Sequence, residues 1–227
     1  MGGDNSPDAT LNGAYLATKE LKKNEKIVLV GDENIAKSWL LSKNIDSSIF
    51  EFIHADEVIS MNEHATKALR KKPNNSISVG FNALKNKEID VFSSAGNSGA
   101  MLVGSMFSIG PIKGVIRPSI TSVLPKKNGG VGLILDVGVN ADCKPDVLFQ
   151  FAILGSLFAE NVYSIQKPKV GLLNIGEEKG KGNLLTQSTY QLLEDNDDIN
   201  FVGNVEGRDL FNDKADVIVC DGFTGNV

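Results

Sequence analysis

At 227 residues with 41% hydrophobic content, the chain can enclose the core of one large domain or two small ones. A formal net charge of -5, with lysines and acids interspersed, excludes the basic face of a general nucleic-acid binder. Two cysteines, Cys143 and Cys220, make no disulfide framework and fit a reducing cytosol, while His54 and His64 lack the paired spacing of a metal cluster.

The start, Gly2-Gly3-Asp4-Asn5, is polar and carries no apolar run of the signal-peptide kind. Ser6-Pro7-Asp8 then places a capping residue, a first-turn proline and an acid in order, which predicts a helix running to about Lys23. Short apolar runs at 26–31, 89–93, 131–136, 169–174, 199–203 and 215–220 predict strands. They alternate with amphipathic segments, the pattern of βα units around a largely parallel sheet. Pro145-Asp146 opens a helix whose apolar stretch, 147–159, is broken by Gln150, Gly155 and Ser156 and is too short to span a bilayer. A helix over 183–193 is predicted to turn Leu184, Leu185, Leu192 and Leu193 inward, with 194–198 a solvated acidic turn. The loops are best placed at 72–76 and 126–130; neither is long enough to demand two domains, so residues 1–227 read as one α/β domain.

After several strands the chain becomes rich in Gly, Asn, Ser and Thr before helix resumes, where open α/β sheets hold ligands. In Ser93-Ser94-Ala95-Gly96-Asn97-Ser98-Gly99-Ala100, glycines permit close approach and Asn97 and Ser98 offer donors beside a helix N-terminus. Alone, this loop serves equally as a structural turn. Asp221-Gly222-Phe223-Thr224-Gly225-Asn226 repeats the pattern, as does Gly176-Glu177-Glu178-Lys179-Gly180-Lys181-Gly182-Asn183. In the latter, Lys181 stands where an ammonium can meet phosphate or a developing oxyanion, or be an ordinary surface lysine. A fourth strand-end loop supplies Asp136, Asn140 and Lys144. The candidate phosphate or substrate contacts are therefore Gly96, Asn97, Ser98, Gly99, Asp136, Asn140, Lys144, Thr224 and Gly225. No Gly-x-Ser-x-Gly elbow with a histidine partner is present, and neither cysteine has an evident base. The residues therefore offer no evident nucleophile for a covalent enzyme intermediate.

Through these loops the chain closely resembles the bacterial phosphate:acyl-carrier-protein acyltransferase family of phospholipid synthesis. The resemblance runs from Met1-Gly2-Gly3-Asp4 through Ala55-Asp56-Glu57-Val58-Ile59, the Ser-Ala-Gly-Asn-Ser-Gly-Ala loop, Ile112-Lys113-Gly114-Val115-Ile116-Arg117-Pro118 and Leu135-Asp136-Val137-Gly138. It continues through Gly203-Asn204-Val205-Glu206-Gly207-Arg208-Asp209 to the final Asp-Gly-Phe-Thr-Gly-Asn. It implies a three-layer α/β/α fold like that of isocitrate and isopropylmalate dehydrogenases, a cytoplasmic homodimer, and no metal or cofactor. The implied reaction converts an acyl-carrier-protein thioester and inorganic phosphate, the co-substrate, into acyl phosphate and free carrier protein. The product would pass to a membrane glycerol-3-phosphate acyltransferase, which leaves room for peripheral membrane association.

The resemblance makes Lys181 and Asn226 the catalytic pair, orienting phosphate and stabilising the tetrahedral transition state. Lys113, Arg117, Lys126 and Lys127 are the basic candidates for meeting an acidic carrier protein. Ser98 replaces the family's usual threonine and keeps its hydroxyl, Val139 replaces alanine, and the Cys143 position alternates between cysteine and alanine in the family. The family pattern also includes an apolar strand before the Met-Gly-Gly-Asp motif and a C-terminal part beyond Val227, so the domain reads as incomplete at both ends. Alternatives are an acyl-coenzyme A-dependent phosphotransacetylase, an NAD-dependent dehydrogenase of the related fold, for which no Gly-x-Gly-x-x-Gly unit follows a strand, and a non-enzymatic assembly remnant.

Overall fold

The computed structural model describes residues 2–227, so Met1 of the Met-Gly-Gly-Asp motif lies outside the described residues. Its contacts group into two compact units that meet in sequence at Gly110 and Pro111.

In the first unit, β1 (Val28–Gly31) pairs in parallel with β2 (Glu51–His54) through α2 (Glu33–Ser42). Asp32 caps α2 by accepting from the Asn34 and Ile35 amides at 2.9 and 3.2 Å. Helix α1 (Asp8–Ala17) packs on α2, with Trp39 Nε1 donating to Asp8 at 2.7 Å, and Leu11, Leu29, Ala36, Leu40 and Phe50 form the shared core. A second core of Ile59, Ala68, Ile77, Phe81 and Ala100 joins α3 (Ala65–Lys71), α4 (Ser76–Lys85) and α5 (Ser98–Ser108).

Three expectations change here. Helix α1 stops at Ala17, not Lys23, because 18–26 supply only Leu21 as an apolar side chain and so no face to bury. Pro7, not Ser6, holds its N-cap position. The run 89–93 is not a strand: no ladder partner stands beside it among the described residues. Instead Phe92 packs edge-on to Phe81, ring centroids 5.1 Å apart, while Val91 is 79% exposed.

The second unit is built on a five-stranded mixed sheet in the order β3-β4-β7-β5-β6. Strands β4 (Val131–Leu135), β7 (Val217–Val219), β5 (Val170–Leu173) and β6 (Phe201–Val205) run parallel, and β3 (Thr121–Pro125) is the antiparallel edge. The central strands are continuous apolar runs because both of their faces are covered. Leu133, Leu135, Val217 and Val219 join a core with Val147, Leu148 and Phe151 of α6 (Pro145–Tyr163) and Leu193 of α7 (Leu184–Glu194). With period two, Ile134 and Ile218 point the other way, joining Val205, Ala215 and Leu210. In α7 the buried line is Leu185, Thr189 and Leu193, at i+4 spacing, whereas Leu184 and Leu192 are exposed. The expected loop at 126–130 is the β3–β4 turn. No helix among the described residues is long and apolar enough to cross a membrane.

Candidate functional site

Because β4, β7 and β5 are adjacent and parallel, the loops that follow them leave the same, carboxyl, end of the sheet. After β4, the Asp136 carboxylate is 0% exposed and accepts three hydrogen bonds: from the Ile120 amide at 2.9 Å, the Asn140 amide at 2.6 Å and Asn140 Nδ2 at 2.8 Å. Asn140 also donates to Pro118 O at 2.8 Å and accepts from the Gly222 amide at 2.8 Å. Asp136 is thus buried and turned to the chain's own donors, as is the Asn140 carboxamide to its own acceptors, and the assignment of both as phosphate contacts is corrected to that of residues holding the loop.

After β7, Asp221 caps α8 (Gly222–Asn226), accepting from the Thr224 amide at 2.8 Å and the Thr224 hydroxyl at 2.9 Å. The two loops interlock through missing side chains. A Cβ on Gly222 would lie 2.7 Å from the Asn140 nitrogen, and one on Gly138, whose φ is +99°, would lie 2.8 Å from Asn226 Oδ1. The Asn226 carboxamide thus rests directly on Gly138, and Asn226 and Thr224 are exposed at the carboxyl end of the strands.

After β5, Lys181 sits in a braced loop. Asn174 Nδ2 donates to Lys181 O and to Asn204 Oδ1, both at 3.1 Å, and Asn204 Nδ2 donates to Glu178 O at 2.9 Å. Gln187 Nε2 donates to Gly180 O at 3.0 Å and to Gly182 O at 3.1 Å. The Lys181 ammonium is half exposed, with Glu178 Oε2 3.9 Å away, which leaves its charge largely available. The bracing trio of Asn174, Asn204 and Gln187 went unassigned from sequence; the signal available was Asn204 within the quoted Gly203–Asp209 signature, an amide in the middle of an apolar strand.

In the first unit, Gly96 and Asn97 are buried while Ser98 and Gly99 are exposed at the open end of α5. The Asn97 carboxamide is already committed. Its Oδ1 accepts from the Ala100 amide at 3.1 Å, and its Nδ2 is shared among Ser60 O, Met61 O and Glu63 O at 3.1–3.2 Å. Asn97 is corrected from an anion donor to a cap and clamp.

Burial, and then the charges of Asp136 and Asp221, push the Cys143 thiol up to about 11. Burial, Asp221 and Asp136 raise Cys220 to about 12. Both stay protonated near neutral pH and make poor nucleophiles. Of the basic candidates, Lys113, Lys127 and Lys144 are exposed, and exposed Arg117 donates to Asp142 O at 3.0 Å. Lys126 is not a surface charge: its ammonium side chain is 6% exposed and paired with Asp216, which corrects its reading as a carrier-protein contact. The acids Glu177, Glu206 and Asp209 gather within 4.8 Å, but Lys214 and Arg208 already neutralise them. A cavity of about 720 Å³ opens at the opposite end of the strands, by Pro168 and Asn200, where Glu160, Glu194, Asp197 and Asp198 outnumber the one cation, Lys167. Its acids repel an anion, so size does not mark the phosphate site there.

The fold is an α/β fold shared with solved phosphotransacylases. The EutD phosphotransacetylase from Staphylococcus aureus matches with a TM-score of 0.66 at 17% identity, covering 97% of this chain and 76% of that one. The chain belongs to the fatty acid synthesis protein family, whose model matches residues 1–227, and that family is one of acyltransferases. It is similar to the Phosphate acyltransferase of Acetivibrio thermocellus, 49% identical over 227 residues that make up all of this chain and 66% of the relative. The Phosphate acyltransferase of Dictyoglomus turgidum is 46% identical over 227 residues, all of this chain and 67% of the relative. The chain thus spans about two thirds of the length of these curated relatives.

Proposed function

We propose that this chain carries the acyl-transfer site of a phosphate acyltransferase that makes acyl phosphate from an acyl-carrier-protein thioester and inorganic phosphate. The observation that supports it is the chain-long match, at 46–49% identity, to relatives named Phosphate acyltransferase. A phosphate oxygen attacks the thioester carbonyl, and the tetrahedral oxyanion collapses as the C–S bond breaks and carrier-protein thiolate leaves. The Lys181 ammonium and the Asn226 carboxamide orient the phosphate and stabilise the oxyanion. Thr224, Gly225 and Lys144 complete the phosphate surroundings in the second unit, with Asp136 and Asn140 holding the loop. No acyl-enzyme is formed, in keeping with two protonated, buried cysteines. In the first unit, Ser98 and Gly99 are a further anion-binding element. Lys113, Arg117 and Lys127 meet the acidic carrier protein, the working form is a cytoplasmic homodimer, and the acyl phosphate passes to a membrane glycerol-3-phosphate acyltransferase.

The test is phosphate-dependent release of free carrier protein from a long-chain acyl thioester, run beside the same acyl-coenzyme A. Lys181→Ala and Asn226→Ala are expected to lose about 10²-fold or more in kcat while keeping the parent circular dichroism. Near-normal turnover in either variant sinks the assignment, and an equal or greater rate with acyl-coenzyme A replaces the carrier-protein donor.

A further inference from the structure

A groove of about 460 Å³ opens in the first unit at the carboxyl ends of β1 and β2, between Gly31-Asp32 and Ala55. Its volume lies within the range of roughly 300–1,000 Å³ usual for small-molecule sites. Its apolar wall is Ile35, Val58, Ile59 and Met61. Ile35 and Val58 are 49% and 52% exposed and Met61 is 40% exposed, so the wall faces open space. Of the three acids in the lining, Asp32 caps α2 and Glu57 accepts from the Asn74 amide at 2.8 Å, while Asp4 is exposed. Cationic side chains are absent from the lining, so nothing in the groove anchors an anionic headgroup. Its apolar wall and lack of cations suit an uncharged apolar chain.

One end of this groove is also the back of the loop that opens α5. Gly2 and Met61, both lining residues, press on Gly96: a Cβ on Gly2 would lie 2.5 Å from Gly96 O, and one on Gly96 would lie 2.6 Å from Met61 Sδ. Asn97 pins the Ser60-Met61 wall to the same loop through the carbonyls of both residues. An apolar trough is therefore continuous with the Gly/Asn/Ser loop, and a family described as fatty acid synthesis proteins handles chains of that chemistry.

We propose that the groove is the subsite for the fatty acyl chain of the thioester donor. The proposal rests on the acyl-transfer reading above. Each methylene buried in a dry apolar site contributes about fourfold to binding. The parent protein is expected to show kcat/KM rising by about that factor per methylene across short, medium and long acyl-carrier-protein donors until the groove is filled. Ile35→Asp and Val58→Asp, both half-exposed sites, place a carboxylate on the wall and are expected to flatten that rise. Leu41→Asp, on α2, 77% exposed and outside the groove, is expected to keep it.

A second measurement does not depend on turnover: binding of an uncharged fluorescent long-chain acyl amide, weakened about tenfold or more by Ile35→Asp and Val58→Asp. Turnover whose chain-length slope is unchanged in both variants overturns the groove assignment and leaves acyl transfer standing. An equal loss at every chain length also overturns it, since the groove would then hold the arm of the donor. If no donor is turned over and the variants still weaken the probe, the groove stands as a site for apolar chains and the acyl-transfer reading falls. Probe binding that ignores both variants overturns the proposal outright.

Discussion

Asp136→Asn tests whether a buried carboxylate, acting as a triple acceptor, holds the candidate site together. The substitution keeps the shape but turns one acceptor oxygen into an amide donor. In its better orientation, Oδ1 keeps the two Asn140 donors and the new NH₂ faces the Ile120 amide, which now has no acceptor. Losing a charged acceptor and orphaning a donor in a fully buried place costs about 2–4 kcal/mol. For a chain of this size that lowers Tm by roughly 5–15 °C. Asp136→Ala orphans three donors, about 3–9 kcal/mol, a large share of an ordinary domain's stability, so the asparagine variant is the informative one. Urea unfolding followed by circular dichroism reads the difference. Since Gly222 hangs on Asn140 O and Asn226 rests on Gly138, the same variant is expected to lower kcat more than it raises KM. A variant within about 0.5 kcal/mol of the parent, the scatter of ordinary surface substitutions, refutes the triple-acceptor account.

Lys126→Met should cost about 3–5 kcal/mol, because it strands Asp216. Burial opposes ionisation of Asp216, but the Lys126 side chain and the Lys169 amide outweigh it and hold the carboxyl below its ordinary 3.8. That stability is present above about pH 4 and is lost as pH falls through the lower folded value, so parent and variant should converge in urea melts at acid pH; a constant gap would argue against the pair. Cys143 and Cys220 should resist iodoacetamide at about pH 8 until the protein is unfolded, read by mass spectrometry, and rapid native alkylation of either would contradict the burial argument. Their folded values lie above the ordinary 9.0, so the stability they contribute is complete below about pH 9 and is lost as pH rises toward 11–12. Cys220→Ala should flatten that alkaline loss, and an unchanged alkaline limb would count against it.

Strands β1, β4, β5, β6 and β7 were legible because each is a largely apolar run bounded by turn residues, and in β4, β5 and β7 the run is continuous because both faces are covered. β2 and β3 escaped for opposite reasons. Glu51-Phe52-Ile53-His54 is too short to show a period, and Thr121–Pro125 is an edge strand whose polar residues and terminal proline suit a one-sided ladder. The run 89–93 has strand composition, but composition cannot supply a neighbour to pair with. In α7, four leucines were read as one face, although consecutive residues in a helix stand about 100° apart. Only the i+4 line through Leu185, Thr189 and Leu193 can face the sheet, and Thr189 reaches the core by donating its hydroxyl to Leu185 O at 2.8 Å.

The candidate site shows where loop composition stops being informative. Asn, Asp and Gly were read as groups facing a ligand, yet Asn97, Asp136 and Asn140 are chiefly turned to the chain's own amides and carbonyls. The reason is general: a loop crowded against a strand end buries backbone groups that the sheet cannot satisfy, and short polar side chains are the nearest partners for them. The residues left facing outward are those with no such duty: Ser98, Gly99, Lys144, Lys181 and Asn226. Of these, Lys181 and Asn226 follow adjacent parallel strands, β5 and β7, and each rests on a loop tied down by buried amides. Rigid support beneath an exposed donor is what oxyanion stabilisation requires, since a donor that must reorganise during the reaction gives up most of its advantage. In the proposed mechanism the buried Asn and Asp side chains therefore hold the exposed pair in place, and the two kinds of polar residue look identical until their hydrogen bonds are followed.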